Sequence, residues 1–142
     1  MPTAYKSNRP VGNLQQEARI RVDFSELKAA ATAVTLDLVT LPTGAQIDVC
    51  LVNLLTTFAD AGSISNVVVE VGTASDPDAF IASTDIFGPA AGFYRADGAN
   101  PSASAAAVKA KFTATGDNFG DGSTSGLDSG SVDFIVRYSV IN

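Results

Sequence analysis

The sequence predicts an all-β fold: a single β-sandwich or jelly-roll-like domain over residues 19–142, preceded by an extended N-terminal arm over residues 1–18. Three observations predict it. Apolar residues alternate with polar ones in separate segments, which is the period of a strand with one buried face. Those segments are divided by stretches rich in Gly, Pro, Asp and Ser, the residues that turn a chain. Residues favouring helix gather in one short stretch, which leaves a stack of sheets as the way to bury the apolar faces.

Taken in order, residues 1–18 show no sustained period and contain Pro2, Pro10 and Gly12, which reads as an extended arm. Arg19–Phe24 is the first clear strand, with Ile20, Val22 and Phe24 alternating with Arg19, Arg21 and Asp23. Asp23 followed by Glu26 fits a capping box, and Leu27–Ala31 favours helix, so a short helical turn is expected over Asp23–Ala31. Val34, Leu36 and Leu38 resume the strand period, and Leu41-Pro42-Thr43-Gly44 makes a reversal. Ile47–Phe58 is apolar on both parities, which requires either a doubly covered central strand or a bulge that swaps faces near Val52-Asn53. Asn66–Gly72 is a strand with Val67, Val69 and Val71 inward, and Ala79–Ile86 is a weaker one. Gly88–Ser104 reads as a long surface excursion, Ala107–Thr115 as a strand, Gly116–Gly130 as a loop, and Ser131–Ile141 as the last strand.

A chain of 142 residues fits one domain and buries about two-thirds of its unfolded surface, so it folds without a disulfide or metal. Its single cysteine, Cys50, lies in an apolar segment and is expected in the core. No apolar run reaches the roughly 18 residues that span a bilayer, and Met1–Lys6 has no signal-peptide character, so membrane partners are not expected and synthesis is expected in a cytoplasm. The net charge is −6, but residues 1–28 carry five basic against three acidic residues, so the body is strongly acidic. Such a body repels phosphate and excludes nucleic acid as the expected partner. The basic start suits an arm lying on an acidic neighbour, with Tyr5, Lys6, Arg9 and Leu14 as its anchors.

Catalytic equipment is absent from the pattern, and the chain reads as non-enzymatic. With no histidine, nucleophile–histidine pairs and histidine metal sites cannot form. No phosphate-binding glycine loop occurs, and no cofactor is expected. Leu127-Asp128-Ser129-Gly130 matches the core of an aspartic protease motif, but that chemistry needs two carboxylates, and the tripeptide suits a turn into the last strand. Gly116–Gly122 offers Asp117, Asn118 and Asp121 as oxygen donors, yet its spacing is wrong for an EF-hand, and Asp76-Pro77-Asp78 likewise reads as a turn. No metal ligands are assigned. Phe93-Tyr94-Arg95, placed in the long excursion, is expected to make a surface recognition site or a subunit contact.

Three stretches carry a resemblance: Leu41-Pro42-Thr43-Gly44-Ala45-Gln46-Ile47, Val71-Gly72-Thr73-Ala74-Ser75-Asp76-Pro77-Asp78-Ala79-Phe80, and Gly130-Ser131-Val132-Asp133-Phe134-Ile135-Val136-Arg137-Tyr138. Together, over roughly residues 34–140, this arrangement resembles small tailed-phage virion proteins of the capsid decoration or cement type. The resemblance implies a homotrimer seated on the outer capsid, with a major capsid protein as partner. A neck, tail or fibre component, or a host-surface or glycan-binding module carried by Phe93 and Tyr94, is the alternative.

Overall fold

A computed structural model describes residues 15–60, 62–88, 92–96, 106–120 and 126–140; of residues 92–96 and 106 it describes the backbone. The described chain forms eight strands: β1 (Gln16–Asp23), β2 (Ala33–Leu41), β3 (Ala45–Ala59), β4 (Asn66–Gly72), β5 (Ile81–Asp85), β6 (Gly92–Ala96), β7 (Ala106–Thr115) and β8 (Ser129–Val140). They make two four-stranded antiparallel sheets, ordered β1-β8-β3-β6 and β2-β7-β4-β5. The first strand pairs with the last, the second with the seventh, the third with the sixth and the fourth with the fifth. The chain is thus one long hairpin rolled into a β-sandwich.

The core lies between the sheets. Phe112 of β7 sits with its ring centroid 6.4 Å from Phe58 of β3 and 5.9 Å, edge-on, from Phe134 of β8, so three rings tie the two layers together. Val67, Val69, Val71, Val108, Val132 and Val136 fill the space around them and are fully buried. Cys50 belongs to the same core, and burial pushes its thiol up to about 12.

Several expectations are corrected by the backbone. β1 opens at Gln16 rather than Arg19, because Gln16 and Glu17 pair with Tyr138 and Arg137 of β8. The helical turn is shorter than expected: Phe24–Leu27 is a 3-10 turn, with the Asp23 N–H donating to Glu26 Oε2 at 2.9 Å. Ala29–Ala31 leave it to bond with the β7–β8 loop, where Ala29 bridges Gly120 and the Phe119 N–H donates to the Ala31 carbonyl. The face swap in β3 is a bulge, but it falls between Ile47 and Val49 instead of near Val52. Ala45 and Ile47 point inward before it, and Cys50, Val52 and Leu54 after it. Residues 92–96, expected within a surface excursion, run as the edge strand β6 alongside β3.

Candidate interaction surfaces

Among the described residues there is no cavity, and no group of three or more His, Cys, Asp or Glu is placed to hold a metal. The surface features are therefore the outer faces and edges of the two sheets, and the loops at the sandwich ends.

The outer face of β1-β8-β3-β6 is built in rows across the strands. Arg19, Ile135 and Leu51 form one row, with Arg95 of β6 at the next register position. Arg21, Asp133 and Asn53 form the next, with Phe93 following. Ile135 is fully buried and Leu51 is 7% exposed, although neither belongs to the core cluster between the sheets. Asp133 is the one buried charged residue among those described, at 2% exposure. Its carboxylate accepts from Arg21 Nε at 2.8 Å and from a second Arg21 nitrogen at 3.2 Å, and Arg19 lies 3.9 Å away. A carboxylate on a covered sheet face keeps its charge only with such partners, and a forked guanidinium supplies two donors in one plane. The same hydrogen bonds hold the Arg21 guanidinium even more firmly protonated.

Further ties run parallel to this one. Arg137 Nε donates to Glu17 Oε1 at 3.2 Å, and this bond is the main reason that the Glu17 carboxyl titrates below its ordinary value. Tyr138 Oη donates to Gln16 Oε1 at 3.3 Å. Gln15 Nε2 reaches Asp48 at the β3 bulge at 3.1 Å, beside the Ser139 hydroxyl, which donates to the same carboxylate oxygen at 2.7 Å. The edge strand β1 is thereby fastened along its length.

The outer face of β2-β7-β4-β5 is of another kind. Asp37 pairs with Lys109, and Lys111 sits between Thr35 and Glu70. Asp37 keeps 79% of its side chain in solvent.

The motifs weighed for chemistry resolve into turns. Asp128 leads into β8, its N–H donating to the Ala59 carbonyl at 2.7 Å, while Leu127 before it is buried. Gly130 has φ +140, and a Cβ there would meet the Phe58 ring at 2.4 Å, so the motif's glycine serves core packing. Asp117 accepts from the Ser63 hydroxyl and the Asn118 N–H, which lower its pKa in that order, and Asn118 accepts from the Gly120 N–H at 2.8 Å. Asp121 lies outside the described residues. In the β4–β5 turn, a hydrogen bond with Asp78 raises the Asp76 pKa, and the turn closes where a Cβ on Gly72 would lie 2.2 Å from the Asp76 carbonyl.

Of the proposed contact residues, Tyr5, Lys6, Arg9 and Leu14 lie outside the described residues. Phe93, Tyr94 and Arg95 have their backbone on β6, at register positions opposite Asn53, Val52 and Leu51. The Asp133–Arg21 clamp was not singled out from sequence. The available signal was an arginine pair at positions i and i+2 on one face of β1, with an acid inside the apolar run Val132–Val136.

No family model matches the chain, and no curated protein sequence matches it. Its structure does have counterparts. A chain from the cyanophage Pam1 capsid asymmetric unit superposes with a TM-score of 0.67 at 16% identity, covering 99% of this chain and 94% of that one. A chain from the acidic stable capsid structure of Helicobacter pylori bacteriophage KHP30 gives 0.63 at 14% identity, covering 92% and 90%. This is a fold shared with chains of two phage capsids. The agreement extends over nearly the whole of each chain, so it concerns the complete sandwich.

Proposed function

We propose that the chain is a structural subunit of a bacteriophage virion, a decoration or cement protein that seats on the outer surface of the head shell and stabilises it. The observation that carries this reading is the full-length structural likeness to chains of two phage capsids, reached independently of the sequence resemblance. The nested strand pairing 1-8, 2-7, 3-6, 4-5 supports reading the sandwich as an eight-stranded jelly roll, an architecture used in viral shells. Its partners are further copies of itself, as a homotrimer, and a major capsid protein. It is made in the host cytoplasm and works without a cofactor or catalysis.

In this role the segment ahead of β1, residues 1–14, acts as the grip. Tyr5 and Leu14 supply apolar anchors, and Lys6 and Arg9 bring positive charge to a body whose balance is acidic. The edge strand β6, which carries Phe93, Tyr94 and Arg95, is a second contact. Exposed ion pairs weaken with salt, so attachment loosens as ionic strength rises. The test is binding of purified protein to shells stripped of it. Full-length protein should bind saturably and raise the temperature at which shells rupture, and a chain lacking residues 1–12 should fold but wash off at lower salt. Equal retention of both chains at every salt concentration overturns the role of the arm, and binding to host glycans without binding to shells overturns the virion role.

A further inference from the structure

We propose that the free edge of β1 receives an added strand, residues 3–9 of the arm of a second copy, and that this exchange holds the copies together. The proposal rests on the reading of the N-terminal segment as an arm that grips a neighbour, and it names the surface that is gripped.

A sheet edge presents a row of unpaired backbone donors and acceptors, and proteins that must avoid pairing guard them with short strands, bulges or projecting charges. Of the four edge strands, β5 and β6 have five residues each, and β2 breaks its register between Asp37 and Val39. β1 has neither guard. It runs eight residues in unbroken register with β8, contains no proline, and no described strand lies on its other side.

β1 does carry charges, but they are turned away from the free edge. Glu17 is bonded to Arg137, Arg21 to Asp133, and Arg19 lies against Glu17 and Asp133, so these side chains lean over β8. The backbone shows which groups face outward. The Asp23 N–H is bonded to Glu26 rather than to β8, and alternation along an antiparallel strand then directs the N–H and C=O groups of Glu17, Arg19 and Arg21 to the free side.

The arm fits this edge in length and sequence. Thr3–Arg9 is free of proline and spans about 23 Å when extended, close to the about 26 Å of an eight-residue strand. Pro10–Leu14 leaves about 17 Å to cross between copies. Lys6 and Arg9 approach an edge flanked by Asp23 and Glu26. The donor is a second copy: at the root of the arm the Gln15 side chain is tied across β8 to Asp48 on β3, away from the free edge, which favours a strand arriving from another molecule over a hairpin onto the same one.

The experiment mixes two full-length single variants, Lys6→Cys and Arg19→Cys, and treats them with a short bis-maleimide; the native Cys50 is buried. The expected product is a covalent pair joining the two variants, in clear excess over either variant alone. Absence of that pair, or linkage at monomer mass in a Lys6→Cys, Arg19→Cys double variant, overturns the proposal. A second measurement compares Arg19→Pro, which removes an outward N–H, with Arg19→Ala, which keeps it. Sedimentation should show self-association weakened roughly tenfold or more by proline alone, with matching circular dichroism spectra; equal association of the two variants overturns the proposal. Neither measurement uses particles, so a chain that exchanges arms but never binds a shell refutes only the virion role.

Discussion

The two sheets share one core but differ in their outer faces. On β2-β7-β4-β5 that face is wet, with Asp37 largely in solvent opposite Lys109. On β1-β8-β3-β6 the face buries Ile135, Leu51 and a carboxylate, and the edge strand is fastened to its neighbour by side-chain ties. The second face is mixed rather than dry: the Arg19 and Arg21 side chains lie over β8 beside the buried Ile135 while keeping their guanidinium ends partly in solvent. The difference marks β1-β8-β3-β6 as the sheet whose outer face is tied together by buried apolar side chains and ion pairs.

The largest perturbation should ignore the comparison, because it strikes what the sheets share. Phe112→Ala removes the ring between Phe58 and Phe134 and should cost about 3–5 kcal/mol in urea unfolding. The next separates the faces. Ile135→Ala on the covered face should cost about 2–4 kcal/mol, while Val68→Ala on the wet face, where Val68 is half-buried, should cost under about 1.5 kcal/mol. Equal losses would erase the distinction.

The ion pairs sharpen it further. Arg21→Ala strands the buried Asp133 with only the distant Arg19, whereas Asp133→Asn leaves arginines that already reach solvent. The arginine variant should therefore melt lower than the asparagine one, and Lys109→Ala, which breaks an exposed pair, should change melting least.

Much of this architecture was legible in the alternating segments, because a face buried against one core leaves a period-2 record. Val67/Val69/Val71 and Val132/Phe134/Val136 are examples. The bulge at Asp48 was not located, since both Val49 and Val52 are apolar and either side of a swap looks alike. β6 was missed because its five residues lie among Gly and Pro, and its pairing with β3 comes from residues 38 (Leu54–Gly92) to 46 (Cys50–Ala96) positions away in sequence. Asp133 carries no local sign of burial, because a charge inside an alternating strand ordinarily faces solvent; its burial depends on Arg21, 112 residues distant.

The smallest effect is in pH. Glu17 and Asp117 titrate below their ordinary values when folded, so they add stability that is complete above those values and is lost as pH falls through the folded ones. Asp76 is raised and works in the opposite sense, favouring the folded chain in acid and ceasing to do so as pH rises through its folded value. Glu17→Gln should flatten the acid limb of melting temperature against pH on the β1 side, while Asp78→Asn should remove the opposing contribution at the β4–β5 turn.

The central claim, that the chain is a structural part of a virion, is tested most directly by locating it. Particles produced from the genome that encodes the chain, purified on a density gradient and reconstructed by electron cryomicroscopy, should contain it in a fixed ratio to the shell protein. Density for its sandwich should stand on the outer surface of the head. Particles that assemble and remain infectious with no trace of the chain, in protein composition or in density, would contradict the account.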